Sequence, residues 1–387
     1  MLEFPNKGAA TSLVKESALQ AGFDLVRITS AEEFSSDREA ALKRINDGLM
    51  DGLPWYTPER VRRGTSPETL LPGARSIICL ALNYFPQEVT SDEGATGGGR
   101  LGKIARYARG KDYHRLMKRR MRKLTLELAE KLGNRFSARW YVDDGPMLDR
   151  SAAARAGLGW FGKNSNLLTP ELGSWVFLGQ IITDLELDPD PPLRKSCGDC
   201  VRCMDACPTG AITTPYVIDN SKCISYLTIE NRGPIPVELR PKMLDWVFGC
   251  DICQEVCPVN RKEQPTGEPA FSRQEMTAVN LVEILGLSEE AFTERFGGTP
   301  VKRARRNGLQ RNACVALGNL KSIEAVPALG RALRESEPLV RSHAAWALGE
   351  IGGAKAVSFL EGATREETDC AVIGEINSAL KRASSRG

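Results

Sequence analysis

Long apolar runs, histidines and a clear excess of either charge are scarce in this chain of 387 residues. The longest purely apolar run covers residues 77–82, whereas a membrane-spanning helix needs about 20 such residues. The opening segment, MLEFPNKGAATSLVKESA, has no apolar core of the kind that a secretion signal carries. We therefore expect a cytoplasmic protein without a membrane segment, in a reducing compartment where disulfides are uncommon.

The charge balance and the missing motifs exclude further classes. Lys and Arg number 52 and Asp and Glu 49, so the formal charge of +3 says little about partners. No GxxxxGK motif followed by Ser or Thr occurs, which excludes a nucleotide-binding loop of that kind. Zinc sites often recruit histidine, and His114 and His343 are the two histidines of the chain.

Cysteine is the residue that this chain has in excess. Eight of the eleven cysteines lie in residues 197–257. The first four follow the spacing C-x2-C-x2-C-x3-C-P, which holds iron–sulfur clusters in bacterial ferredoxins. Three later ones follow C-x2-C-x3-C-P, with Val247 at the place of the first cysteine. Cys223, between the two groups, can supply the missing thiolate, so the sequence predicts two 4Fe–4S clusters.

The ligands of the two clusters follow from the same spacing, because the fourth cysteine of such a run ligates the other cluster. One cluster is assigned to Cys197, Cys200, Cys203 and Cys257. The other is assigned to Cys207, Cys223, Cys250 and Cys253. Structural zinc and buried thiols are the alternative interpretations. The remaining cysteines sit singly in apolar segments and are predicted to be core residues: Cys79, Cys314 and Cys370.

Four successive segments predict an α+β protein of several domains. Residues 1–190 alternate helical and strand patterns and are interpreted as an α/β domain. Residues 191–265 are interpreted as a bacterial ferredoxin-like domain, residues 266–300 as a linker, and residues 301–387 as HEAT-like α-helical repeats. The predicted strands of the first domain are 24–29, 76–83, 137–142 and 175–182, and its long basic helix is 112–132.

A repeated pattern of small residues marks the C-terminal segment. ALGNL at 316–320 returns as ALGEI at 347–351, a period of 31 residues, and a weaker third unit ends near Ala379. The pattern resembles short HEAT-like repeats, in which each helix pair buries its apolar face only against its neighbour. A plain C-terminal helical cap is the alternative.

Two dense basic stretches interrupt the otherwise balanced charge. Residues 100–123 hold eleven Lys and Arg and one acid, Asp112, whereas residues 302–311 hold five Lys and Arg and no acid. Two such stretches in a nearly neutral chain indicate a surface for a polyanion, although each could also be a solvated face. The candidate contacts are Arg119, Arg120, Arg305, Arg306 and Arg311.

Two adjacent carboxylates follow the predicted strand 137–142, in WYVDDGP at 140–146. A carboxyl beside apolar aromatic side chains is well suited to donating a proton. D-D-G-P is also good turn chemistry. The residues alone therefore leave a catalytic and a structural interpretation open.

Six segments considered together carry a family resemblance. They are LPGARSII at 71–78, RYARGKDYH at 106–114, YVDDGPMLDR at 141–150, AGLGWFGKN at 156–164, the eight-cysteine region with CISYLTIE at 223–230, and GLQRNACVALGN at 308–319. The chain resembles, nearly end to end, the epoxyqueuosine reductases, which are cobalamin- and iron–sulfur-dependent enzymes that complete the tRNA base queuosine. The set is specific as a whole, whereas the ferredoxin-like spacing alone is not.

The resemblance implies reduction of epoxyqueuosine to queuosine at the wobble position of tRNA. Electrons would pass from an unidentified donor through the two clusters to cobalamin, which residues 1–190 would bind. The family's proton donor is the Asp that follows Val in the VD-x-G-P segment, which is Asp143 here, whereas Asp144 departs from the family's usual Ser or Thr. The cofactor contacts that the resemblance carries over are Arg60, Asp143, Leu167, Leu178 and Ser225.

The resemblance also implies the state of the cofactor. The DxHxxG signature that supplies a lower histidine ligand is missing from the chain, so base-off cobalamin without a protein ligand is expected. We expect a monomer, because the two large surfaces are assigned to cofactor and tRNA. Two rival interpretations are another corrinoid iron–sulfur oxidoreductase, resembling the reductive dehalogenases, and a non-catalytic electron-transfer or scaffold protein for a tRNA-modifying enzyme.

The ligand assignment predicts the outcome of removing one thiol. Anaerobically reconstituted protein should contain about eight irons and about eight sulfides per chain. Cys223→Ala should lose the cluster that also uses Cys207, Cys250 and Cys253 and keep the other, as measured by iron and sulfide analysis and by electron paramagnetic resonance. Retention of both clusters in this variant would refute the assignment.

Overall fold

The computed structural model describes residues 6–86, 100–262, 264–271 and 276–384. Its strands are β1 (Leu25–Ser30), β2 (Ser76–Asn83), β3 (Leu101–Ile104), β4 (Ala138–Tyr141), β5 (Trp160–Phe161), β6 (Leu167–Leu168), β7 (Val176–Thr183), β8 (Ile212–Thr214), β9 (Val217–Ile218), β10 (Trp246–Phe248) and β11 (Ala278–Asn280). Its helices are α1 (Lys7–Gln20), α2 (Ser35–Asn46), α3 (Pro58–Gly64), α4 (Pro67–Leu70), α5 (Tyr113–Leu132), α6 (Asp149–Arg155), α7 (Arg202–Asp205), α8 (Ile224–Ile229), α9 (Ile252–Glu255), α10 (Leu281–Leu285), α11 (Glu289–Phe296), α12 (Arg305–Asn319), α13 (Val326–Ala332), α14 (Pro338–Ile351), α15 (Ala354–Glu366) and α16 (Cys370–Ser384). Among the described helices, none combines the length and the apolar character that crossing a membrane requires.

An antiparallel sheet in the order β1-β2-β7-β4 forms the centre of the N-terminal part. All four predicted strands are observed, each within one residue at either end. The predicted basic helix is α5, which begins where the Asp112 side chain accepts the His114 main-chain N–H and ends at Gly133, whose φ is 66°. The predicted α+β class is confirmed.

Both faces of this sheet are covered, which explains the unbroken apolar run of β2. Ile78 and Leu80 pack on one face with residues of α1 and α5. Ile77 and Cys79 pack on the other face with residues of α6. Because successive side chains of a strand point to opposite faces, a strand covered on both sides is apolar at every position. Cys79 and Cys314 are fully buried, as predicted for core residues, whereas Cys370 is exposed at the start of α16, so that prediction is wrong.

Strand β3 joins parts of the chain that the sequence pattern separates. It lies between β10, from the cysteine-rich region, and β11, from the segment 266–300. That segment also forms α10 and α11, so it is not a bare linker. The segment is polar overall, but its apolar side chains attach it to the core, where Leu281, Ile284 and Phe296 are fully buried.

A buried polar junction attaches α12 to the cysteine-rich region. Arg311 donates hydrogen bonds of 2.6–2.8 Å to the main-chain carbonyls of Leu227, Asn231 and Gly233. The neighbouring Asn312 donates to the Thr228 carbonyl at 2.9 Å and to the Val247 carbonyl at 2.8 Å. These bonds satisfy carbonyls of α8 and β10 that would otherwise be buried without donors.

The ALG motifs of the repeats lie where consecutive helices touch. A Cβ atom added to Gly318 would lie 2.6 Å from the Trp346 ring and 3.0 Å from Ala347 Cα, on α14. One repeat later, a Cβ added to Gly349 would lie 2.7 Å from Ala379 Cα, on α16. The repeat therefore preserves a glycine that lets α12, α14 and α16 approach closely.

Alanine at these glycines should lower stability. Gly318→Ala and Gly349→Ala each force a methyl group into a packed helix contact, and overpacking costs about 1–3 kcal/mol in the free energy of unfolding. Chemical denaturation of the purified protein measures the change. Gly374→Ala on α16, where an added Cβ meets nothing within 4 Å, is the matched control and should be neutral or slightly stabilising. Equal effects at all three positions would contradict the close-contact explanation.

Candidate functional site

The predicted cluster ligands come together from two parts of the chain. The first cysteine run surrounds α7 and the second surrounds α9, and these two short helices contact each other. Cys223 lies directly before α8. The double run thus forms two loops that face one another, with the separate cysteine beside them.

Three other cysteines lie near Cys203. Burial raises the pKa of Cys203, and nearby Cys197, Cys257 and Cys200 raise it further. This is the predicted set of the first cluster. Burial disfavours the thiolate form of Cys203, so this thiol needs a nearby cation, such as cluster iron, to ionise readily.

The second predicted set has the same pattern around Cys250. Burial raises the pKa of Cys250, and Cys223 and Cys207 add to the effect. Burial also raises the pKa of Cys253, on which both Cys250 and Cys203 act, so the two sets adjoin. Eight thiols in two adjoining sets are a donor set of the kind that two 4Fe–4S clusters require.

The second set lies against the N-terminal sheet domain. Asn166 Nδ2 is 4.0 Å from Cys253 Sγ, and Asn164 Nδ2 donates to the Cys253 carbonyl at 3.1 Å. Both asparagines belong to the turn between β5 and β6. The main-chain N–H groups of Tyr226 and Ser225 favour the thiolate of Cys223. The N-terminal domain and α8 therefore both contribute donors to this set.

Asp143 lies in the loop that joins β4 to α6. Its φ of 54° is in the left-handed region, which is uncommon for residues other than Gly. Its Oδ2 accepts a hydrogen bond of 2.8 Å from the Tyr113 hydroxyl, at the start of α5. Tyr113 is buried and stacks on Phe177 with 3.9 Å between ring centroids. A hydroxyl fixed in the core thus orients the Asp143 carboxyl.

The aromatic pocket that the sequence suggested around Asp143 is absent from this part of the described chain, since Asp143 is exposed. Trp140 packs beside the cluster of apolar residues under α5, and the Tyr141 ring lies against Gly145. The reason is strand alternation, which directs these two side chains to opposite faces of the sheet before the loop begins.

Asp144 has different partners. Its Oδ2 pairs with Lys118 Nζ on α5, and its Oδ1 accepts the Val142 main-chain N–H at 3.2 Å. Asp144 is therefore engaged in holding the loop, whereas Asp143 accepts from a neutral hydroxyl.

Helix α3 supports the same loop from the other side. Arg60 Nη2 donates to the Gly145 carbonyl. A Cβ added to Gly64 would lie 1.8 Å from the Pro146 carbonyl oxygen, so α3 and the loop pack backbone against backbone. Three helices, α3, α5 and α6, thus fix the position of Asp143.

The residues expected to contact cobalamin lie on elements around this loop and the second cysteine set. Arg60 and Asp143 meet at the loop, and Ser225 lies beside Cys223. Leu167 is buried on β6, next to Asn166, and Leu178 is half-buried on β7 in the same apolar cluster. Guanidinium, carboxyl, hydroxyl and apolar groups fit a large ligand that has both amide-rich and apolar surfaces.

The prediction that Arg311 contacts a polyanion is wrong. Arg311 is fully buried and forms the junction between α12 and the cysteine-rich region. Burial lowers the pKa of its guanidinium, and main-chain carbonyls supply its hydrogen bonds. The prediction grouped Arg311 with the other basic residues of 302–311, because a count of charges does not show which face of a helix is buried.

Two further basic candidates are engaged inside the protein. Arg306 is 10% exposed and pairs with Glu289 and Glu335 at 2.9 and 3.3 Å. Arg120 pairs with Glu268 and donates to the Gly22 carbonyl. Their contacts hold α12 and α5 to neighbouring segments, so the structure does not present them as free cations. Arg119 and Arg305, by contrast, are exposed.

Arg305, a candidate from the sequence, lies in a basic rim with Arg303 and Arg232, which were not among the sequence candidates. Although burial lowers the pKa of Arg303, the charges of Glu230 and Asp143 raise it above its usual value. Burial, together with nearby Arg305 and Arg303, lowers the pKa of Arg232. The rim therefore lies close to Asp143, although Asp143 and Arg303 are far apart in the sequence.

Three segments of the chain match known families. Residues 64–144 match the family described as Epoxyqueuosine reductase QueG, DUF1730. Residues 196–260 match a 4Fe-4S double cluster binding domain, which confirms the iron–sulfur prediction over zinc. Residues 302–381 match HEAT repeats, which confirms the repeat prediction over a plain helical cap.

Relatives and solved structures match over most of the chain. An epoxyqueuosine reductase from Shigella dysenteriae serotype 1 is 39% identical over 340 residues, which are 87% of this chain and 88% of the relative. A crystal structure of epoxyqueuosine reductase with an epoxyqueuosine-modified tRNA-Tyr stem loop has a TM-score of 0.90 at 33% identity, covering 96% of this chain and 98% of the other. A Bacillus subtilis epoxyqueuosine reductase, solved with its catalytic aspartate loop swung out of the active site, has a TM-score of 0.89 at 32% identity with the same coverage.

Proposed function

Because this chain belongs to the epoxyqueuosine reductase family, we propose that it reduces epoxyqueuosine to queuosine at the wobble position of tRNA. The reaction removes the epoxide oxygen as water and leaves a carbon–carbon double bond, so it consumes two electrons and two protons. The observation that carries the proposal is the loop of Asp143, which Tyr113, Lys118 and Arg60 hold close to the basic rim.

The two cysteine sets supply the electron path in this proposal. Iron–sulfur clusters transfer single electrons, so two clusters can store the pair that one turnover needs. The set of Cys207, Cys223, Cys250 and Cys253 lies against the N-terminal domain, where Asn166 and Ser225 contribute donors. Hydrogen bonds to cluster sulfurs stabilise the reduced state and so raise the reduction potential. This set would therefore deliver electrons to the catalytic domain.

Cobalamin would be held by Arg60, Asp143, Leu167, Leu178 and Ser225. When bound, it supplies low-valent cobalt as the reductant of the epoxide. Arg60 orients the Asp143 loop through the Gly145 carbonyl, so that one side chain would serve both the loop and the cofactor.

Asp143 would donate one of the two protons that the departing epoxide oxygen needs, and solvent would supply the other. The Tyr113 hydroxyl fixes its carboxyl, and the left-handed backbone turns the side chain away from the sheet. Bound substrate would exclude water from this exposed carboxyl and so disfavour its charged form. Asp144 is held by Lys118 and would not exchange roles with its neighbour.

The basic rim would bind the phosphate backbone close to the wobble nucleotide. Arg303 and Arg305 are exposed. Arg303 pairs with Glu230, and this one carboxylate leaves the rim of three arginines with a net positive charge. Phosphate contacts position a nucleic acid, whereas base contacts select it. Arg303, through its proximity to Asp143, would connect the HEAT repeats to the catalytic loop.

Asp143→Asn should abolish most of the chemistry while leaving the fold intact. Asparagine keeps the size and can still meet the Tyr113 hydroxyl, but it cannot donate a proton of suitable acidity. Because a positioned general acid contributes roughly 10²–10⁴ in rate, we expect a loss of at least ~100-fold in single-turnover rate with pre-reduced enzyme. Mass analysis of the tRNA nucleosides measures the conversion.

Asp144→Asn is the matched control and should lose much less, because the Asp144 carboxylate pairs with Lys118 and would hold the loop rather than donate the proton. Both variants should retain cobalamin and both clusters. A large loss in the Asp144 variant together with near-normal rate in the Asp143 variant would transfer the role to Asp144. Near-normal rates in both would mean that the proton comes from elsewhere.

Removing the rim charges should weaken tRNA binding in a salt-dependent way. The Arg303→Ala and Arg305→Ala double variant loses up to two phosphate contacts. Each lost contact should reduce the steepness of the plot of log K against log salt by ~0.7–0.9. Fluorescence anisotropy with an anticodon stem loop at several salt concentrations measures the slope. Arg75→Ala, at the opposite end of the sheet from Asp143, is the control. An unchanged slope in the double variant would mean that the rim is merely solvated.

A further inference from the structure

A second acid lies behind the Asp143 loop, and the reaction proposed above makes no use of it. Asp149 is the first residue of α6. Its Oδ1 is closed off from solvent and has no hydrogen-bond partner within the described chain. Its main-chain carbonyl accepts from Gln180 Nε2 at 3.3 Å, and Gln180 is fully buried on β7 opposite Tyr141. The main chain of Asp149 is thus attached to the sheet, directly after the loop.

The surroundings of Asp149 favour its neutral form. Burial raises the pKa of Asp149 to about 8, and the charge of Asp143 is the next contribution in the same direction. The main-chain N–H groups of Asp143 and Asp149 oppose this shift, as does Arg150. Arg150 itself donates to the Ser165 carbonyl at 2.5 Å, and the buried thiol of Cys79 is the titratable group that faces Asp149 from β2.

The Oδ1 atom of Asp149 also favours the neutral form. A buried carboxylate oxygen without a donor is costly, whereas a protonated carboxyl has less charge to satisfy. The Asp143 main-chain N–H faces this carboxyl, so Asp149 contacts the residue whose backbone is held in the left-handed region. We propose that Asp149 is a positioning residue that, while it keeps its proton, supports the Asp143 loop from behind, and that loss of this proton releases the loop.

The physical reason is charge repulsion. An ionised Asp149, whose Oδ1 is closed off from solvent, would place a negative charge beside the Asp143 carboxyl, and nearby like charges repel. Moving the loop outward would separate the two carboxyls and admit water to Asp149. The proton leaves to solvent, and nothing else is consumed. The proposal rests on the role given to Asp143 above, but the loop position can be measured without the reaction.

The experiment compares the full-length wild type with Asp149→Asn, which fixes a neutral side chain of the same shape. Hydrogen exchange of the amides in residues 141–148, corrected for the intrinsic effect of pH, is followed by mass spectrometry between pH 7 and pH 9. In the wild type we expect exchange to rise about tenfold, since the ionised fraction of a group with a pKa of about 8 rises from roughly a tenth to roughly nine tenths. In Asp149→Asn the rise should be absent.

Thermal stability supplies a second readout with a defined sign. A carboxyl whose pKa is raised in the folded state binds more protons there than in the unfolded chain, so its contribution to stability is lost as pH rises from about 4 to about 8. The melting temperature of Asp149→Asn minus that of the wild type should therefore grow with pH over this window. Asp184→Asn is the control, because it removes an acid that accepts the Ser137 N–H at the far end of β4. Its melting temperature minus that of the wild type should not change with pH over the same window.

Each outcome decides the inference. A rise in loop exchange that persists in Asp149→Asn would overturn it, because another group would then control the loop. Faster loop exchange at every pH in Asp149→Asn would also overturn it, since the neutral form would not be the supporting one. If Asp143→Asn proved fully active while Asp149→Asn behaved as expected, the positioning of the loop would stand and only the proton-donor role of Asp143 would fall.

Discussion

The buried junction of Arg311 and Asn312 is the interaction on which the arrangement of the site depends. These two side chains donate five hydrogen bonds to main-chain carbonyls of the segment from α8 to β10. That segment carries Cys223 at one end and leads to Cys250 at the other. A charged group without solvent is costly unless its donors are satisfied, so the junction tolerates little displacement. Helix α12 thereby fixes both a cluster ligand and the basic rim.

The Asp143 loop is held by contacts of different kinds, and this separates the two adjacent acids. Lys118 engages Asp144, whereas the Tyr113 hydroxyl engages Asp143. Arg60 donates to a main-chain carbonyl of the loop, at Gly145, and so does not compete for either carboxyl. These contacts hold the Asp143 carboxyl in one position while it remains exposed to solvent.

Close backbone approach recurs where the domains and repeats meet. Gly64 allows α3 to touch Pro146, and Gly318 and Gly349 allow the repeat helices to touch one another. Strand β3 connects the N-terminal part to both β10 and β11, so the cysteine-rich region shares a core with the HEAT repeats and with residues 101–108. The parts that the sequence presents as separate domains therefore act as one support for the loop and the clusters.

Features that depend on local spacing could be predicted from the amino-acid sequence. The ferredoxin-like run, the repeat of ALG and the four strands of the first sheet follow from periods of a few residues, and the chain forms each of them. Which charges are covered and which distant residues meet depends on the packing of the whole chain. Arg311 and Arg305 look alike in the sequence, but one is buried against carbonyls and the other is exposed. Asp149 and Arg303 approach Asp143 through folding of the whole chain, because burial and hydrogen bonding are properties of packed surfaces that no local pattern encodes.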